Sequence, residues 1–160
     1  MAKNLARQPA KKAATEADVF IIETLDPDDE GSGSFEGQSI MHVLRLHGKS
    51  PQYRYVRTRN DFEEALDEFA KSRARYLHLS CLGDPEGMVT TNGEEIDFDE
   101  LAYLLDLALN GRRLFLSACS MVHQDVTDHL LTKTGCFSVV GPTSDVNFTT
   151  AAVFGRLFII

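Results

Sequence analysis

Two short apolar segments each end in residues that could do chemistry: Arg113-Leu-Phe-Leu-Ser-Ala-Cys-Ser120 and Arg75-Tyr-Leu-His-Leu-Ser-Cys-Leu-Gly83. Cysteine hydrolysis needs a thiolate, a base that takes or holds its proton, and N–H donors for the developing oxyanion. Cys119 stands where a strand gives way to a helix, and a helix N-terminus favours a thiolate. Gly83 has no side chain to block approach, so its N–H is open to an oxyanion. A second reading stands beside each. Cys119 suits a buried small hydrophobe, and Gly83 suits the tight turn before Asp84-Pro85.

These residues meet only if their strands are parallel neighbours. Met88–Thr91 and Glu94–Ile96 flank Asn92-Gly93, a strong hairpin signal. Asp97 then caps a helix with Leu101, Leu104, Leu105 and Ala108 on its buried face, stopped by Gly111. A crossover of this kind makes the two flanking strands parallel and sets their C-terminal ends side by side. That edge of an open α/β sheet is where active sites are built.

The other elements alternate in the same way. Val19-Phe-Ile-Ile-Glu-Thr-Leu25 reads as a central buried strand, and Asp26 to Gly37 as a mobile loop leaving it. Ile40, Val43 and Leu44 give a helical stripe. Tyr53–Arg57 reads as a strand near a sheet edge. Asn60 with Glu63 resembles a capping box ahead of Phe62, Ala65, Leu66 and Phe69. Val122, Val126 and Leu130 suggest a helix ending at Lys133 and Gly135, followed by a fifth strand over Cys136–Val140. The expected fold is a three-layer α/β sandwich: a mostly parallel sheet of about five strands with a small β-hairpin insertion.

Residues 1–17 carry Lys3, Arg7, Lys11 and Lys12 and read as a flexible basic arm, with 18–160 as one domain. The helix-like stretch 149–160 ends on Phe158-Ile-Ile160, an apolar end that calls for further elements or a partner to cover it.

The 160 residues are 43% hydrophobic, enough for one domain with a real core. A net charge of -8 speaks against nucleic acid and anionic membranes and mildly favours cationic partners. Three cysteines without metal-type spacing fit a reducing cytoplasm. No apolar run reaches membrane-spanning length, and no Gly-rich phosphate loop follows any strand.

The two strand ends, the Asn-Gly hairpin and the capped helix together resemble the core of caspase-like (clan CD) cysteine peptidases, closest to the bacterial CHAT family, over roughly residues 18–145. The resemblance implies Cys119 as nucleophile and Gly83 as the oxyanion glycine, and it sets Leu82 where the family has its histidine. Leucine accepts no proton, and general-base help is worth about a hundred- to ten-thousand-fold. An unassisted thiol is only a few per cent ionised at neutral pH. The expected function is therefore a cysteine endopeptidase domain that is inactive or severely impaired, with no cofactor and no metal. The alternative is a non-catalytic pseudo-peptidase acting as a peptide- or protein-binding regulatory module. A third reading, a flavodoxin-like ligand-binding domain, has the missing phosphate loop against it.

Among the histidines, His123, four residues beyond Cys119, is the candidate substitute base. His78 lies deeper in its strand and reads as a packed, hydrogen-bonded core residue. His42, His47 and His129 suit solvated or packing roles, and no metal site is expected of His123, Asp125, Asp128 and His129. Cys81 could pair with Cys119, but alternation turns it away from the face of Leu82 and favours a buried thiol. Cys136 reads the same way. Asp84 and Glu86 are the candidate substrate-binding acids, suited to a basic residue, among the turn acids Glu94, Glu95, Asp97 and Asp99.

Overall fold

Val19 to Ile22 are apolar at four consecutive positions because both faces of their sheet are covered, and all four are buried. The computed structural model describes residues 15–83, 86–117 and 124–141, the side chains of 124–126 excepted. In chain order the elements are β1 (Glu16–Glu23), α1 (Pro27–Ser32), α2 (Glu36–Leu46), β2 (Gln52–Tyr55), α3 (Arg59–Lys71), β3 (Ala74–Ser80), β4 (Leu82–Gly83), β5 (Gly87–Val89), β6 (Glu95–Asp97), α4 (Phe98–Leu109), β7 (Arg113–Ser117), α5 (Gln124–Lys133) and β8 (Ser138–Val140).

Five strands form the main sheet in the order β2-β1-β3-β7-β8, all paired in parallel. Counting only these strands, the order is 2-1-3-4-5, a doubly wound arrangement whose switch point lies between β1 and β3. Phe20, Ile22, Leu77, Leu79, Leu114 and Leu116 pack with Phe62, Leu66, Phe69, Leu101 and Leu105 of α3 and α4. Val19 and Ile21 pack on the opposite face against Ile40, Met41 and Leu44 of α2. The alternation of one strand thus feeds two hydrophobic layers.

Several sequence expectations need correction. The loop expected over Asp26–Gly37 contains α1: the Asp26 carboxylate accepts from the N–H groups of Asp28 and Asp29 at 2.8 and 2.9 Å, Pro27 starts the turn, and Gly33 ends it at φ 76°. The capping box of α3 uses Thr58 and Asp61, while Glu63 pairs with Arg59 and Asn60 donates to Glu64. The hairpin is part of a three-stranded antiparallel sheet, β4-β5-β6. The chain joins the main sheet before residue 18: Glu16 N–H donates to Arg73 O at 2.8 Å, and Arg75 donates to Thr15. Cys136 precedes β8 rather than opening it. The helix expected over 149–160 lies outside the described residues.

Candidate functional site at the strand-end edge

The two chemically loaded strands are neighbours, as their connection requires. Ser80 of β3 stands opposite Ser117 of β7, and Cys81 N–H donates to Ser117 O at 3.1 Å. Beyond this point Leu82 and Gly83 leave the main sheet and pair with Val89 and Met88 of β5. Leu82 is 40% exposed and Cys81 is buried among the core residues, the opposite orientations that strand alternation demands. Cys119, His123 and Asp84 lie outside the described residues. Glu86 is exposed and lines a shallow groove over the small sheet with Met88, Glu95, Ile96 and Asp97.

The structure gathers a different set of polar residues at this edge: Glu23, Thr24, Glu36, His78, Ser80 and Thr91, all buried, and the half-buried Ser117. Glu36 is the first residue of α2. Its carboxylate accepts from Ser80 Oγ at 3.0 Å and from Ser117 Oγ at 2.7 and 2.8 Å. His78, only 1% exposed, places Nε2 3.5 Å from Glu36 Oε1, and neither ring nitrogen has a hydrogen-bond partner among the described residues. The sequence expectation of a hydrogen-bonded core histidine is therefore half corrected: the ring is buried, but it meets a charge. Burial raises the Glu36 carboxyl, yet the imidazole and the two serine hydroxyls outweigh burial and hold it below the usual carboxylate range.

Glu23 reaches the same helix end from β1. The residue preceding α2, Phe35, makes no side-chain cap, so the first N–H groups of the helix need another acceptor. Glu23 provides it, accepting from Gly37 N–H at 2.7 Å and Gln38 N–H at 3.3 Å, while Tyr53 OH donates to it at 2.7 Å. Gly37 permits this approach, since a Cβ there would meet Ile21 Cγ2 at 2.9 Å and the Glu23 carboxyl carbon at 3.2 Å. Burial pushes the Glu23 carboxyl above its usual range against these bonds, and the Glu36 charge adds to the rise. The Tyr53 phenol is pushed up by burial and by its bond to Glu23.

A third knot ties the small sheet down. Thr24 and Thr91 bond through their hydroxyls at 3.2 Å, Thr91 N–H donates to Thr24 Oγ1 at 3.1 Å, and Tyr55 OH reaches Thr91 Oγ1 at 3.2 Å. Around this interior the rim is acidic, with Asp28 and Asp29 on α1 and Glu86, Glu95 and Asp97 on the small sheet, all exposed. The sequence reading passed over Glu23, Glu36, Thr24, Ser80, Ser117 and Thr91. One signal was available: Glu23-Thr24 interrupts an otherwise apolar run, and a buried strand admits such residues only when partners await them.

Of the other histidines, His42 Nδ1 meets Gln38 O at 3.1 Å, and His129 Nε2 stands 3.1 Å from Asp99 Oδ1. Among the described residues no helix is long and apolar enough to cross a membrane.

No protein-family model and no curated protein sequence matches the chain. Solved structures do match. One is a flavo di-iron protein variant from Thermotoga maritima, with a TM-score of 0.54 at 12% identity over 90% of this chain and 35% of that one. Another is a flavone reductase, with a TM-score of 0.53 at 11% identity over 89% of this chain and 62% of that one. This chain thus spans 35% of the length of the first. These similarities correct the labels caspase-like, CHAT, clan CD, cysteine peptidase and hydrolase, because the similar proteins are of another kind. At such low identity the likeness is one of architecture, and together with the 2-1-3-4-5 strand order it makes the fold a flavodoxin-like, doubly wound α/β domain.

Proposed function

We propose that this chain is a non-catalytic binding module, a regulatory domain that takes a protein or peptide partner in a reducing cytoplasm. One observation carries the reading: among the described residues, the carboxylates and hydroxyls at the strand-end edge are consumed by one another and by the first N–H groups of α2. In a doubly wound fold the switch point is the ordinary place for a ligand, and an anion there leans on a helix N-terminus. Here the Glu23 carboxylate already holds the Gly37 and Gln38 N–H groups. Glu36 holds both serine hydroxyls. A phosphate-bearing ligand would meet two buried glutamates in its place. Among the described residues, Leu82 is exposed at this edge, with the exposed acids of α1 and the small sheet on the rim. That combination suits a peptide that brings an apolar side chain together with lysine or arginine.

The test is a fluorescence-anisotropy screen of labelled peptides in equal basic, neutral and acidic groups, run beside a phosphate titration. Basic peptides with an apolar residue are expected to bind, to weaken in Leu82→Glu and in about 0.5 M salt, and to emerge uncleaved. Peptide turnover abolished by Cys119→Ala would overturn the reading. So would inorganic phosphate binding that shifts the Gly37 and Gln38 amide signals.

A further inference from the structure

The outer face of α4 carries two large apolar side chains in open solvent. Tyr103 is 81% exposed and Leu107 89% exposed, and their i, i+4 spacing puts them one above the other. Glu100 turns toward α3, where it pairs with Arg59, and Asp99 turns toward α5, where it faces His129. Tyr103 and Leu107 thus form a stripe pointing away from both neighbouring helices, bordered by acids. Asp106 is exposed between them, and Glu63 and Asp67 are exposed on α3. The nearby cations are already engaged: Arg59 with Glu63 and Glu100, and Lys71 with Asp67.

We propose that residues 1–14 of this same chain dock on this face of α4. The segment carries Lys3, Arg7, Lys11 and Lys12 with no acid among its fourteen residues, and Leu5 and Met1 as apolar side chains. It complements an acidic-bordered apolar stripe in both charge and hydrophobicity. A second copy fits less well, because Asp99, Asp106 and their counterparts would face each other across the contact. Tethering supports the intramolecular choice. Thr15 is fixed beside the start of β3 by Arg75, whose guanidinium donates to Thr15 O at 3.1 Å. Leu107 lies in the last turn of α4, which leads at once into the start of β7. β3 and β7 are adjacent and parallel, so both points belong to the amino-terminal edge of the sheet. From β1 to β7 is two strand spacings, about 10 Å, and the outer face of α4 stands about 10–12 Å above the sheet, whereas fourteen extended residues reach about 46 Å. A short tether supplies a local concentration in the millimolar range, so a small contact suffices.

The experiment compares backbone amide spectra of the full chain with a full-length variant combining Lys3→Glu, Arg7→Glu, Lys11→Glu and Lys12→Glu. The signals of Asp99–Asn110 are expected to differ between the two. A synthetic peptide of residues 1–14, added to the variant, is expected to return them saturably, and about 0.5 M sodium chloride to prevent the return. Leu107→Glu in the variant background is expected to weaken that peptide at least about tenfold. Differences confined to the first twenty residues would overturn the proposal, as would a peptide that leaves α4 unmoved. α4 signals that change with protein concentration would overturn it in favour of a second copy.

Discussion

Two buried glutamates meet the first turn of α2, and they settle into opposite protonation tendencies. Glu23 is served by two backbone N–H groups and a phenol, Glu36 by two hydroxyls and an imidazole. Both lose water, and burial is the largest influence on each. For Glu23 burial wins and the carboxyl rises; for Glu36 the neighbours win and it falls. The difference lies in His78, which stands beside Glu36. Neutral donors soften the desolvation of a carboxylate, whereas a group able to carry positive charge can reverse it. The two residues also divide the labour. Glu23 caps a helix that lacks its own cap, and Glu36 ties that helix to the ends of β3 and β7.

Removing Glu36 should have the largest effect. Glu36→Ala strands the Ser80 and Ser117 hydroxyls and removes the carboxylate beside His78, and each buried polar group left unsatisfied costs about 1–3 kcal/mol. Urea unfolding should show that loss as a lower midpoint at an unchanged slope. A loss under about 1 kcal/mol would mean that water serves the serines and that the cluster is not closed.

The pH dependence gives the sharpest contrast between the two glutamates. The folded pKa of Glu36 lies below the reference of 4.5, so its contribution is complete above that value and is lost as the pH falls through the folded pKa. Glu23 behaves in reverse: its folded pKa lies above 4.5, the native state holds its proton longer, and stability declines as pH rises through that window. Glu36→Gln should therefore fall further behind the parent protein as pH rises from strongly acid to about 5. Glu23→Gln, costing about 1–2 kcal/mol near pH 4 through one lost acceptor, should close its deficit as pH rises toward neutrality. Parallel slopes for the two variants would erase the distinction.

The sequence shows the sheet more clearly than the site, for a physical reason. Apolar runs such as Phe20–Ile22 and Leu114–Leu116 report burial by composition alone, and Asn92-Gly93 and Asp97 announce their turn and cap locally. The site rests on contacts between residues far apart in the chain: Glu36 with Ser117, Glu23 with Tyr53, Thr24 with Thr91. No local pattern encodes such pairs. Ser80 immediately precedes Cys81 and Ser117 stands two residues before Cys119, so each serine lies beside a residue with a stronger chemical signal. The helix α1 was hidden by glycine and proline, which read as loop although Pro27 and Gly33 sit where a short helix starts and stops.

The smallest expected effect isolates the neutral half of the comparison. Tyr53 donates to Glu23 from a half-buried position on the edge strand β2, so Tyr53→Phe removes one of three donors and leaves the helix cap in place. The ring still packs against the apolar cluster between β1 and α2, and the cost should be about 1 kcal/mol. The informative readout is the Glu23 side-chain carboxyl carbon followed by NMR against pH. Losing a donor to the charged form must move its midpoint still higher, while the midpoint of Glu36, held by His78 and the serines, should shift little and downward, as a more protonated Glu23 repels it less. If Glu36 moves upward with Glu23, the two carboxylates share one hydrogen-bond network, and the contrast between their two sets of neighbours gives way to a single coupled titration.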